Sequence, residues 1–155
     1  ALRYRSVKRC TLVDHDHRIL ELVGRHYAHA QAVLGDLRFE YIQQDALSFL
    51  RNSEATFDLI VNDCFDTLEL GKVAGCSVFD LLKARLTARG VCTDLIFRHL
   101  LADQHVERTR LALQAVGAHA LSLIFIPEYP GILHVLTIWG SVEVSQNLKQ
   151  SKNIE

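Results

Sequence analysis

The chain has 155 residues, with 17 basic and 18 acidic side chains, a net charge of −1 and a hydrophobic fraction of 49%. These values are ordinary for one soluble globular domain, and the absence of a basic excess argues against a nucleic-acid partner. No apolar run approaches the roughly 20 residues of a membrane span, so we expect no membrane partner. The chain contains no methionine and begins with Ala1, from which we expect residues upstream.

Cysteines and histidines do not form a metal-binding pattern. None of the four cysteines stands in a C-x-x-C pair. We therefore expect reduced, buried thiols in a cytoplasmic protein rather than a zinc site. His26 and His29 could share a helical face, but a suitably placed third ligand is missing, so no metal is predicted.

Apolar and amphipathic segments alternate along the chain. The periodicity predicts strands at residues 9–13, 38–43, 57–61, 91–97, 120–126 and 133–139, and helices at residues 18–27, 46–51, 77–86 and 106–116. Asp16 can cap the first helix. Gly90 and Gly117 are expected to close the last two helices in a left-handed conformation. Residues 127–131 are predicted to form a rigid turn.

This order of elements predicts an α/β fold. Strands that alternate with helices imply a mostly parallel sheet covered on both faces. The two final strands follow each other without a helix, which indicates an antiparallel last strand. We therefore predict a Rossmann-like, class I methyltransferase-type domain over residues 1–144, followed by a polar C-terminal tail at residues 145–155.

Three consecutive predicted strands are followed by an aspartate: Asp14, Asp45 and Asp63. Ligands of open α/β sheets bind beyond the carboxyl ends of the strands. Asp14 could accept hydrogen bonds from ribose hydroxyls, and Asp45 could accept one from an adenine amine. Aspartate is also common at such positions because it caps helices and forms turns, so either role is open for each of them.

Asp63 and Asp66 form a pair of carboxylates three residues apart in one predicted loop. Such a pair attracts an amine cation, and one member can take a proton from the amine as it becomes a nucleophile. A solvated loop that carries charge is the alternative interpretation, chiefly for Asp66.

Four segments resemble the spermidine synthase (polyamine aminopropyltransferase) family, in order along residues 6–131. They are SVKRCTLVDHDHRILEL, LRFEYIQQDALSFL, FDLIVNDCFD and IPEYPG. The resemblance implies that the family's first strand and glycine-rich loop are missing from this chain. Because that strand lies between its second and fourth strands, its loss would leave two open edges in the sheet. We do not expect the chain to be active without that segment.

The resemblance assigns the site residues by function. It implies Asp63 as the catalytic base, Asp66 and Tyr129 as amine-binding residues, and Asp14, Asp45, Ala46 and Pro130 as nucleoside-binding residues. The implied enzyme is a transferase that moves an aminopropyl group from decarboxylated S-adenosylmethionine, its co-substrate, to a polyamine. It would be a homodimer without a permanently bound cofactor.

Two other functions remain open. A small-molecule methyltransferase that uses S-adenosylmethionine would share Asp14 and Asp45 but would not need a carboxylate at Asp66. A catalytically silent binding domain would keep the fold but would have no enzymatic activity.

Overall fold

The computed structural model describes residues 1–64, 67–96, 102–129 and 132–141. The chain divides into two compact units, Ala1–Ser53 and Glu54–Glu155. The single domain over residues 1–144 stays a prediction, and the tail at residues 145–155 lies outside the described residues.

The first unit is built around two parallel strands. Its elements are β1 (Cys10–Asp14), α1 (Arg18–His26), α2 (Ala28–Leu34), β2 (Phe39–Gln43) and α3 (Ala46–Asn52). The register runs from Cys10 opposite Phe39 to Asp14 opposite Gln43. Because the strands are parallel, their carboxyl ends lie at the same edge. The predicted strands and helices are confirmed here, whereas α2 was not predicted.

The second unit contains the larger sheet. Its elements are β3 (Phe57–Asn62), α4 (Thr67–Leu70), β4 (Lys72–Val73), β5 (Cys76–Ser77), α5 (Val78–Ala84), β6 (Leu86–Ile96), α6 (Ala102–Ala115), β7 (Ala118–Tyr129) and β8 (Ile132–Ser141). The order is β3-β6-β8-β7, with β3 parallel to β6 and β8 antiparallel to both of its neighbours. The predicted antiparallel last strand is confirmed.

One face of this sheet packs against α5. Phe79 of α5 meets Trp139 of β8 edge to face, with ring centroids 5.8 Å apart. Both rings are buried, as are Leu82 and Cys92. On the other face of β3 the side chain of Val61 is 66% exposed. The packed face therefore includes side chains of β6 and β8.

The two larger sheets are not joined by strand pairing within the described residues. There β1 pairs with β2 alone and β3 pairs with β6 alone, so each has one open edge. This agrees with the two open edges that the family resemblance predicted.

Gly90 lies inside β6 and does not close a helix, so the predicted left-handed cap is wrong. It is buried, and a Cβ atom there would stand 2.8 Å from the carbonyl oxygen of Phe57. The glycine therefore serves the close approach of β6 to β3 rather than a turn. Gly117 has φ +64° immediately beyond the helical segment, as predicted.

Candidate active site

Asp14 is the last residue of β1, at the carboxyl edge of the smaller parallel sheet. Its Oδ1 accepts a hydrogen bond from the backbone N–H of Asp16 at 2.8 Å and lies 3.5 Å from Nδ1 of His15. Its Oδ2 makes no hydrogen bond within the part of the chain that the structure describes. That oxygen can accept a hydrogen bond from a ligand hydroxyl.

Side chains of β2 hold the loop that follows β1. The Tyr41 hydroxyl donates to the carbonyl oxygen of Asp14 at 3.0 Å, and Nε2 of Gln43 donates to that of His15 at 3.4 Å. Burial, followed by the charges of Asp14 and Asp16, raises the pKa of Tyr41, so it stays a neutral donor. The sequence pattern did not indicate Tyr41 or Gln43, because these contacts join strands far apart in sequence.

Asp16 is engaged at the start of α1. Its Oδ1 accepts from the backbone N–H of Arg18 at 3.1 Å, which confirms its predicted capping role, although the formal cap residue is His17. Hydrogen bonds from the Arg18 side chain, then from its backbone, lower the pKa of Asp16. Asp16 is therefore ionised and paired within the loop.

Asp45 is the N-cap of α3. Its Oδ1 accepts from the backbone N–H of Ser48 at 2.8 Å. Hydrogen bonds from Ser48, with a smaller contribution from the charge of His15, lower the pKa of Asp45. Ala46 follows as the first, half-buried residue of the helix. The capping role is thus observed, and the adenine contact remains a prediction for Asp45 and Ala46.

His15 shows that Asp14 and Asp45 lie near each other. Its imidazole lies beside Asp14 and also acts electrostatically on Asp45. The structure therefore brings the two acids together at one edge of the first unit, as the sequence predicted. His15 is exposed, and the sequence assigned it no role in nucleoside binding, although it lies within the first of the four segments that resemble the family.

Asp63 follows β3 directly in the second unit. Its carboxylate is exposed and makes no hydrogen bond or ion pair within the described residues. Tyr129 ends β7, which runs parallel to β3, so both residues lie at the carboxyl edge of this sheet. The side chain of Tyr129 lies outside the described structure, as do Asp66 and Pro130 entirely.

The four cysteines are free thiols. Cys92 is buried and Cys10 half-buried, but Cys64 and Cys76 are exposed, so the prediction of burial is wrong for those two. They lie in the loop after β3 and in a short hairpin, where little packs over them. Across the described residues no three histidine, cysteine or acidic side chains gather as a metal site, and no helix there has the length and apolarity of a membrane span.

The sequence is similar to curated aminopropyltransferases. It is 31% identical over 71 residues to the polyamine aminopropyltransferase of Buchnera aphidicola, which covers 45% of this chain and 25% of the relative. It is 29% identical over 94 residues to polyamine aminopropyltransferase 2 of Pseudomonas aeruginosa, covering 58% of this chain and 27% of the relative. The matched segments thus span about a quarter of these relatives' own length.

The fold is similar to that of solved enzymes. The spermidine synthase of Thermotoga maritima superposes with a TM-score of 0.61 at 18% identity, covering 88% of this chain and 46% of that one. A spermidine synthase in complex with the transition state analogue AdoDATO gives 0.61 at 17% identity, with the same coverage of 88% and 46%. A Thermoplasma acidophilum protein assigned as a methyltransferase gives 0.55 at 15% identity, covering 86% and 57%.

These likenesses show a Rossmann-like fold of the methyltransferase type, as predicted. The family follows from the sequence itself, because residues 1–150 match the profile described as the spermine/spermidine synthase domain. This match covers nearly the whole chain and includes both acidic strand ends of the first unit and the loop after β3. The chain therefore belongs to the spermine/spermidine synthase family.

Proposed function

We propose that the protein transfers an aminopropyl group from decarboxylated S-adenosylmethionine to an amine of a polyamine. The observation that carries this proposal is the exposed carboxylate of Asp63 at the end of β3, which makes no hydrogen bond or ion pair within the described residues. In a member of this family, such a carboxylate is suited to receive a proton from the acceptor amine.

Asp63 is assigned the proton transfer. Its carboxylate takes a proton from the ammonium group of the acceptor, which frees the nitrogen lone pair. The nitrogen then attacks the aminopropyl carbon beside the sulfonium, the carbon–sulfur bond breaks, and its electron pair neutralises the sulfur as a thioether. Asp66 and Tyr129 would hold the polyamine through negative charge and through the phenol. The protein thus supplies deprotonation and orientation.

The nucleoside of the donor is assigned to Asp14, Asp45, Ala46 and Pro130. Oδ2 of Asp14 would accept from a ribose hydroxyl, since its other oxygen is held by Asp16 N–H. Asp45, with its lowered pKa, remains a carboxylate at neutral pH and would act with Ala46 and Pro130 toward the adenine. Support for this nucleoside class comes from the related fold that was solved with AdoDATO. From the sequence alone, we also propose that the protein is a homodimer in the cytoplasm. We propose no nucleic-acid or membrane partner.

The test offers the full-length protein both donors with a panel of diamines and identifies the products by mass spectrometry. We expect that only decarboxylated S-adenosylmethionine reacts. Its products should be the amine carrying an added aminopropyl unit, and methylthioadenosine. A methylated product formed from intact S-adenosylmethionine would replace the proposal by a methyltransferase. No product from either donor would indicate a silent binding domain.

A further inference from the structure

Three polar residues cross the core of the larger sheet side by side. Asn62 on β3 is in register with Asp94 on β6, which is in register with Thr137 on β8. Asn62 is 5% exposed, and the other two are fully buried. A carboxyl group and an amide in a sheet core cost folding free energy unless they are hydrogen-bonded, and such exceptions to an apolar core are expected at functional sites. The row therefore requires a functional or structural reason.

The side-chain amide of Asn62 connects this row to the loop that carries Asp63. Its Nδ2 donates to Oδ1 of Asp94 at 2.7 Å and to Oγ1 of Thr67 at 3.0 Å. Its Oδ1 accepts from the backbone N–H of Cys64 at 3.4 Å. Cys64 is the second residue after β3 and Thr67 is the first residue of α4, so the Asn62 side chain bonds to the chain on both sides of this connection.

Asp94 decides which way the Asn62 amide faces. A carboxylate oxygen accepts hydrogen bonds and cannot donate them, so it selects the NH2 side of the amide. The oxygen side is then turned toward Cys64, where a backbone N–H needs an acceptor. Without Asp94 the amide loses the shorter of the two bonds that select its orientation, and a rotated amide would set two donors against each other at Cys64.

We propose that Asp94 is a positioning residue for Asp63, acting through Asn62. It fixes the amide that ties the loop to the sheet, and the loop in turn keeps the Asp63 carboxylate at the edge where the acceptor amine binds. Asp94 is fully buried, so it does not itself contact the substrate. This inference rests on the proposed aminopropyl transfer, in which Asp63 is the base.

The test exchanges the two polar groups in the full-length protein. Asn62→Asp sets two buried carboxyl groups against each other, which repel or share a proton, and it removes the amide that bonds to Thr67. We expect kcat/KM for the amine to fall about 10- to 100-fold because the base is displaced. The double variant Asn62→Asp/Asp94→Asn puts the amide on β6 and the acceptor on β3. The carboxylate now at position 62 can accept from the amide now at position 94 and from the backbone N–H of Cys64. Most of the lost rate should therefore return.

Two further measurements separate positioning from general stability. Methylthioadenosine binding by calorimetry should be unchanged in all variants, since none of them changes a residue proposed to bind the nucleoside. Thr137→Val is the matched control: its hydroxyl is buried in the same row and makes no hydrogen bond within the described residues, so the rate should be kept. If Asn62→Asp does not fold, Asp94→Asn alone serves, with an expected loss of about fivefold.

The outcomes are distinct. Absence of transfer by the wild-type protein would overturn the proposed function and this inference together. Transfer by the wild type, with a double variant as slow as Asn62→Asp, would overturn the inference alone. A wild-type rate in Asn62→Asp would also overturn the inference alone. The same holds for a wild-type rate in Asp94→Asn, where that variant is used.

Discussion

The two carboxylate oxygens of Asp14 have different surroundings. One is held by Asp16 N–H at 2.8 Å, and the other makes no hydrogen bond to the described residues. The first contact fixes the side chain, so the second oxygen is presented to a ligand at low entropic cost. This division of roles is what the proposed ribose contact requires.

Asp14→Asn should weaken methylthioadenosine binding about 10- to 100-fold, the size of a hydrogen bond to a charged group. The amide oxygen must stay with Asp16 N–H, which leaves the NH2 group where hydroxyl donors arrive. Calorimetry on the full-length protein measures the effect. Glu40→Gln is the control, because Glu40 lies within β2 and pairs with Arg9. Equal affinities in wild type and Asp14→Asn would refute the ribose contact.

Asp36 and Arg38 fasten the start of the chain to β2. Arg38 donates to the carbonyl oxygens of Leu2 at 2.8 Å and Val7 at 3.0 Å, and pairs with Asp36 at 2.7 Å. The hydrogen bonds from Arg38, first from its side chain, lower the pKa of Asp36 to about 2. A lowered acid pKa stabilises the fold above the ordinary pKa, and that stability is lost as the pH falls toward the folded value.

Asp36→Asn should therefore destabilise the protein at pH 6, with the difference from wild type shrinking between about pH 4 and pH 2. Urea unfolding at a series of pH values measures it. Glu21→Gln removes an exposed pair with Arg25, 3.7 Å apart, and should have little effect at any pH. A difference between Asp36→Asn and wild type that did not vary with pH would contradict the assignment.

At the scale of single residues, the sequence correctly predicted which aspartates stand at the ends of strands. Asp14, Asp45 and Asp63 were placed at strand ends by pattern alone, and they are found there. The bond between Asn62 and Asp94 could not be predicted, because it depends on the register of two strands 32 residues apart. No hairpin turn joins these two strands, so their register depends on which faces of both strands are buried in the folded sheet.

At the scale of elements, β6 differs most from expectation. The strand begins at Leu86, five residues before the predicted start, because Gly90 had been interpreted as a helix end. A glycine after a helical segment is ambiguous: it permits a left-handed turn and equally a close approach of two backbones. The carbonyl oxygen of Phe57 on β3 lies close to Gly90, which shows that the close approach of two backbones applies here. Phe57 is far from Gly90 in sequence, so local sequence does not reveal this contact.

Gly90→Ala should destabilise the protein by about 1–3 kcal/mol, since its Cβ would meet Phe57 O at 2.8 Å and Thr87 N at 3.0 Å. Urea unfolding measures the loss. Gly35→Ala is the matched control: Gly35 has φ −87°, and its added Cβ would lie 3.4 Å from Gln31 O, so stability should be kept. Equal stability of the two variants would contradict the close approach at Gly90.

At the scale of the whole molecule, the alternation of strands and helices was sufficient to predict the fold class and the direction of the last strand. It did not predict two compact units with separate sheets, because that division depends on which strands find partners. The family resemblance predicted two open edges in the sheet and did not predict the two units.

Asp63→Asn tests the central claim most directly, because it keeps the shape of the side chain and removes the base. Aminopropyl transfer should fall about 10²- to 10⁴-fold, the usual contribution of general base catalysis, with methylthioadenosine binding unchanged. Asp80→Asn, which changes an exposed acid in the first turn of α5, should transfer at the wild-type rate. Full transfer activity in Asp63→Asn would contradict the account.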